Sequence, residues 1–217
     1  MRQWGNGAMK DALPVFDALD VQHPNAWTEL HFSNAFELLA ATILSAQCTD
    51  ARVNQVTPAL FKKYPSPKKL AAADPAELET LVQPTGFFRM KTRSLIGMAN
   101  AVVDRHGGQV PPDMDALVDL PGVGRKTANV VLGHALGLPG FPVDRHVLRV
   151  ASRIGLISAK AAEDAVKAEK KLTTLLPPDR WTRASDTLIL HGRRICKPKP
   201  LCERCAVRAH CAYYRKR

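Results

Sequence analysis

Along this chain a helix-capping residue repeatedly introduces apolar side chains spaced three or four apart, and nowhere do Val, Ile, Thr and Tyr alternate as a half-buried strand requires. That pattern restricts the chain to packed helices. Asn34 followed by Glu37 is a capping box, opening a helix with Phe36, Leu39, Ala40, Ile43 and Leu44 along one stripe. Gln47, eleven positions after Phe36, returns at 100° per residue nearly to the same face, so a polar amide is expected to end an apolar stripe. Further helices are expected over about 9–19 and 50–64, and after Asp74-Pro75-Ala76-Glu77, which pairs an N-cap with proline at the first helical position. A loop over 86–90 precedes a helix from about Lys91 with Leu95, Met98, Ala99 and Val102 on its stripe, stopped by Gly107-Gly108. A short helix near Asp113 or Asp115 breaks at Pro121, and another covers 127–135. Asp144 then caps a helix carrying Val147, Val150, Ala151 and Ile154, and helical patterns cover 159–176 and 181–191. The expectation is an all-α fold of about ten helices, in two helical lobes facing a groove.

The 217 residues are 46% apolar, enough for a real core, and carry a formal charge of +11, which favours a polyanionic partner, nucleic acid before membrane. Much of the excess lies at the end of the chain. From His191 to Arg217 there are nine Lys or Arg against one acid, Glu203. The opening Met-Arg-Gln-Trp-Gly-Asn lacks the apolar region of a signal peptide, and no uninterrupted apolar stretch reaches membrane-spanning length. A cytoplasmic protein is expected, nucleoid-associated if prokaryotic, and in a reducing compartment clustered cysteines point to a metal site before disulfides.

Three features carry chemistry. In Leu120-Pro121-Gly122-Val123-Gly124 two glycines allow a tight turn and close approach of a ligand, and the helix that follows offers free N–H groups and a positive dipole end to an anion such as a DNA phosphate. A plain turn between helices has the same composition. Lys126 falls in the first turn of that helix, where a cation is electrostatically misplaced; the dipole with partial burial would favour the neutral, nucleophilic amine, while a solvated lysine touching phosphate is the plainer alternative. Asp144 reads as a helix cap, as a carboxylate stabilising positive charge on a reacting sugar, or as both. The third feature is Cys196-x5-Cys202-x2-Cys205-x5-Cys211, four thiols in sixteen residues, suited to an iron-sulfur cluster or a four-cysteine zinc site. With only one C-x2-C pair, the spacing favours a [4Fe-4S] cluster. Cys48, left over, is expected to be a buried inert thiol in the apolar helix.

Taken together, the segment Leu120 to Ala128 with Lys126 inside it, the Gly/Pro-rich stretch ending in Val143-Asp144-Arg145-His146, and the four C-terminal cysteines resemble the helix-hairpin-helix iron-sulfur DNA glycosylases of the endonuclease III family. Ser45-Ala46-Gln47-Cys48-Thr49-Asp50 and His191-Gly192-Arg193 look like further segments of that family, in its order, so the resemblance covers nearly the whole chain. It implies a six-helix barrel over 28–138 that carries the hairpin, and a cluster domain built from 1–27 and 139–217, with DNA in the groove between them. It also implies a bifunctional glycosylase and abasic-site lyase, working as a monomer on duplex DNA with damaged pyrimidines or abasic sites. Lys126 would be its Schiff-base nucleophile and Asp144 its essential carboxylate. Gln47 would fill the gap left by the extruded nucleotide, with Gly122, Gly124, Arg125, Arg193, Lys197 and Lys199 on the backbone of the DNA. The chain departs from the family in two places. Its first cysteine gap is five residues where six is usual, and Phe87 stands where a leucine wedge is common.

Two other readings meet specific residues. A mismatch-type adenine glycosylase of the same superfamily uses a glutamate five positions before Gln47 and usually serine in place of the lysine; this chain has Thr42 and Lys126, and threonine cannot serve as a carboxylic acid. A non-catalytic DNA-binding module would have no use for both Lys126 and Asp144.

Overall fold

The computed structural model describes residues 8–216; the N-terminal hexapeptide discussed above and Arg217 lie outside the described residues. Among the described residues there are helices and turns but no strand. The chain divides into two compact units, Met1–Thr28 with Pro139–Arg217, and Glu29–Leu138.

The Glu29–Leu138 unit holds α2 (Ala35–Leu44), α3 (Asp50–Lys63), α4 (Pro67–Ala71), α5 (Pro75–Val82), α6 (Phe88–His106), α7 (Met114–Val118) and α8 (Arg125–Ala135). Their starts are written locally. The side chains of Asn34, Thr49, Ser66, Asp74 and Asp113 each accept a hydrogen bond from a first-turn N–H, the Asn34 carbonyl oxygen from Glu37 N at 3.0 Å. Glu37 reaches back in turn to Ser33, whose N–H and hydroxyl both donate to its carboxylate. Leu38, Leu39, Leu44, Leu60, Leu70, Leu78, Leu95 and Met98 close the core, and α2 packs against both α6 and α8.

The other unit comprises α1 (Ala8–Gln22), α9 (Arg145–Ile154), α10 (Ala165–Thr173) and α11 (Trp181–Arg194), followed by 3-10 turns through the cysteine segment. Phe16, Leu19, Phe141, Val147, Val150, Leu172 and Leu188 form its core. Arg180 and Arg183 bind Asp17 and Asp20 and so tie α11 to α1, at 2.7 to 3.0 Å. Gly192 lets α11 lie close on α9, because a Cβ there would stand 2.8 Å from the His146 Cβ.

Several boundaries differ from the sequence expectation. Helix α6 begins at Phe88, three residues before Lys91, because the Phe87 carbonyl already accepts from the N–H groups of Met90 and Lys91 at 3.1 Å. The pattern over 159–176 is split by Asp164, whose carboxylate caps Val166 and Lys167 and restarts the chain as α10. Helix α2 ends at Leu44, so Gln47 does not continue its stripe. The Ser45 hydroxyl folds back onto the Thr42 carbonyl at 2.8 Å, Cys48 N reaches Ser45 O at 3.0 Å, and Gln47 sits exposed in a turn with φ 53°. Cys48 is accordingly half-buried in a loop instead of buried in a helix.

Candidate active site and thiol pocket

The hairpin is built by α7, the turn 119–124 and α8. Gly122 adopts φ 78°, and a Cβ placed on it would lie 2.5 Å from the Cβ of Ser94 on α6, so both backbone and packing demand glycine. Gly124 is different: its φ is −92°, and an added Cβ would meet nothing within 4 Å. It caps α8 without a side chain, which leaves the positive end of that helix open to solvent. Gly122→Ala is therefore expected to cost about 2–4 kcal/mol, seen as a lowered denaturant midpoint, since a left-handed alanine and a clash inside the unit add together. A midpoint unchanged from wild type would show that the turn and Ser94 move apart at little cost.

Lys126 stands in the first turn of α8 and is exposed, as is Arg125. The partial burial expected for Lys126 is not supplied by the protein, because the flanking glycines carry nothing to cover it. Asp144, in the other unit, is half-buried and caps α9: its Oδ1 accepts from His146 N at 2.7 Å and Val147 N at 3.0 Å. Both backbone bonds fall on one oxygen, and among the described residues none is made by Oδ2. Burial holds the pKa of the neighbouring His146 below the usual imidazole value, against the pull of the Asp144 charge. Thr42 is buried with its hydroxyl committed to the Leu38 carbonyl at 2.7 Å.

Among the described residues, the two non-glycine positions with positive φ are Gln47 and Phe87, at 53° and 48°. A left-handed conformation costs such residues about 1–2 kcal/mol, and both side chains point into solvent, Phe87 with 58% of its surface exposed. Neither exposed side chain buries surface that would offset this strain.

Cys196, Cys202, Cys205 and Cys211 line one pocket, with Arg153, His191, Leu201, Tyr213 and Tyr214 around them. Their surroundings were not foreseen from the sequence. Fully buried His191 lies with Nε2 3.5 Å from Cys205 Sγ and Nδ1 3.0 Å from Nε2 of the buried His23. Burial, with the charge of His23, pushes His191 down to about 4. Arg153 reaches Cys196 Sγ at 3.6 Å and clamps the shortened 197–201 loop through the carbonyls of Lys197 and Pro198, at 2.6 and 3.1 Å. Arg149, one turn earlier, holds the Cys196 carbonyl at 3.0 Å. The i, i+4 pair of arginines on α9 was a legible signal for this, set off as it is from the apolar stripe. Burial raises the thiol pKa of Cys205 to about 11 and also raises that of Cys211, with the other cysteines adding to both. Among the described residues no three of His, Cys, Asp or Glu are placed to hold a single metal ion. Arg193, Lys197 and Lys199 are exposed near the pocket's cysteines in sequence.

A glycine turn between α7 and α8 that opens a helix N-terminus, in a chain whose described residues are helices and turns, defines a helix-hairpin-helix protein. The comparisons are more specific. Residues 40–178 match the model of the HhH-GPD superfamily base excision DNA repair proteins. The chain is 47% identical over 191 residues to endonuclease III of Synechocystis sp., covering 87% of this chain and 86% of that one, and 41% identical over 202 residues to endonuclease III of Bacillus subtilis, covering 93% and 91%. It superimposes on the endonuclease III of a solved non-covalent DNA complex with a TM-score of 0.88 at 39% identity, covering 96% and 97% of the two chains. A trapped endonuclease III–DNA covalent intermediate gives 0.89 at the same identity and coverage. The chain belongs to the endonuclease III family of HhH-GPD base excision DNA repair proteins, and it is a DNA glycosylase. Among the described residues no helix is long and apolar enough to cross a membrane.

Proposed function

We propose that this enzyme excises oxidised pyrimidines from duplex DNA and then cleaves the strand 3′ to the resulting abasic site. The observation that carries the reading is the placing of Lys126: an exposed amine in the first turn of an uncapped helix, next to a glycine whose missing side chain leaves open space. A phosphate seated on that helix end brings the sugar of the lesion to the amine. The Lys126 nitrogen attacks C1′, the glycosidic bond breaks, and the base leaves with the bonding pair and a proton. The C1′–O4′ bond then opens, O4′ taking a proton as the nitrogen gives one up, to form the imine; this acidifies the C2′ hydrogen, whose loss expels the 3′ phosphate, and water later releases the lysine. The protein leaves Lys126 exposed, so the bound DNA must strip water from it. Asp144, with one oxygen held by backbone N–H groups and the other available, balances the positive charge that develops at the sugar.

In this reading Gln47 fills the gap left by the extruded nucleotide and Phe87 stands as the wedge that parts the opposite strand, and their strained, exposed turns support it. Gly122, Gly124 and Arg125 hold the backbone, and the basic run with Arg193, Lys197 and Lys199 adds phosphate contacts. The enzyme acts as a monomer, the 29–138 unit being the barrel with the hairpin and the other unit the cluster domain. The covalent DNA intermediate trapped with a relative supports the chemistry. Borohydride reduction in the presence of an abasic-site duplex tests it: a covalent protein–DNA complex is expected, and its absence would refute the amine mechanism.

Cys196, Cys202, Cys205 and Cys211 fit a [4Fe-4S] cluster. The four line one pocket, and their spacing, with only one C-x2-C pair, favours the cluster over a four-cysteine zinc site. Burial, which raises the pKa of Cys205 and Cys211, is offset when a cationic metal centre binds their sulfurs. When bound, the cluster would supply a rigid staple across the segment 196–211, and Arg153 and His191 would orient the sulfurs that hold it. The purified protein is expected to be yellow-brown with iron and acid-labile sulfide; a colourless protein with one zinc per chain would overturn the assignment.

A further inference from the structure

Lys91 is 2% exposed, yet no carboxylate among the described residues pairs with it. Its ammonium donates to the Thr85 carbonyl at 2.7 Å. Burial lowers its pKa. An apolar residue of the same length would fill this place without the cost of burying a cation. Packing alone therefore does not explain the lysine.

Its bond partner does. Thr85 is itself 2% exposed, its hydroxyl donating to the Val82 carbonyl at 2.7 Å. It ends the 3-10 turn Gln83–Thr85, and the next two residues, Gly86 at φ 70° and Phe87 at φ 48°, both turn left-handed before α6 begins. No Phe87 side-chain bond secures this turn, and nothing lies within 4 Å of the Cβ position of Gly86. The chain doubles back between an anchored carbonyl and the helix that carries the anchoring lysine, six residues away.

We propose that Lys91 is a positioning residue for Phe87, its buried ammonium locking the Thr85 carbonyl so that the left-handed turn presents the phenylalanine ring to DNA. The inference rests on the reading that Phe87 contacts the lesion site. With the carbonyl released, Phe87 relaxes toward ordinary φ, and the ring leaves the place it must enter when the nucleotide is extruded.

The test uses Lys91→Met, apolar and of similar length, and Lys91→Gln, polar but too short to reach the carbonyl. In both variants exchange of the backbone amides of Gly86, Met90 and the substituted residue is expected to accelerate about tenfold while α2 and α8 keep their protection. Single-turnover excision should fall about tenfold, with affinity for undamaged duplex within about twofold of wild type. If Lys91→Met fails to fold, Lys91→Gln carries the test. Wild-type exchange at these amides in a folded variant overturns the proposal. Phe87→Ala separates the two layers: if it excises like wild type, the contact reading fails while the exchange result still decides the role of Lys91.

Discussion

Lys126→Gln is expected to abolish borohydride trapping and to slow base excision on the order of 10⁴-fold or more, as removal of a nucleophile does elsewhere, while leaving lesion binding in place. The glutamine nitrogen has its lone pair delocalised into the amide and cannot form an imine, but the side chain is of similar length and still able to touch phosphate. The substitution lies on an exposed position of α8, whose start is set by Gly124 and the turn before it, so folding should be unaffected. The alternative chemistry predicts otherwise. A water nucleophile would release the base and stop at an intact abasic strand, with no covalent adduct in either protein. If Lys126→Gln still traps and nicks like wild type, the nucleophile lies elsewhere and the hairpin is a DNA-binding device only.

Asp144→Asn separates structure from chemistry at a residue that could serve either. Asparagine caps helices about as well as aspartate, and the Asp144 bonds to His146 N and Val147 N both use one oxygen, which the amide carbonyl reproduces. The stability change should therefore be small, limited to the lost interaction of a negative charge with the α9 dipole, about 0.3–1 kcal/mol. Excision, by contrast, should fall on the order of 10²- to 10³-fold, the usual effect of removing a charge aimed at a transition state. Full activity in the folded variant would reduce Asp144 to a helix cap. A matched loss of stability and activity would point the same way.

The local grammar of this chain was legible without a structure. The caps at Asn34, Asp74, Asp113 and Asp144, the stripes of α2, α6 and α9, and the glycine hairpin before α8 all follow from interactions spanning four residues or fewer, which a sequence displays directly. The gathering of four cysteines from one short segment into a pocket was legible for the same reason. Errors arose where a local rule met a longer-range one. Extrapolating the α2 period carried Gln47 onto a helix face, but the Ser45 back-bond and the Thr49 cap of α3 end the helix first. The pattern over 159–176 concealed the cap at Asp164 inside a continuous apolar rhythm.

The sequence by itself therefore determined an all-helical chain, the positions of its turns, and the residue types available for chemistry, because backbone hydrogen bonding and apolar periodicity are written within single elements. Only the tertiary structure decided exposure, φ sign and second partners. It left Lys126 in solvent and put Gln47 and Phe87 into left-handed turns. It also buried Lys91 against the Thr85 carbonyl, joined His23 to His191 across 168 residues of chain, and set His191 beside Cys205. Those outcomes depend on which side chains from distant elements share a volume, and no window of neighbouring residues contains that information.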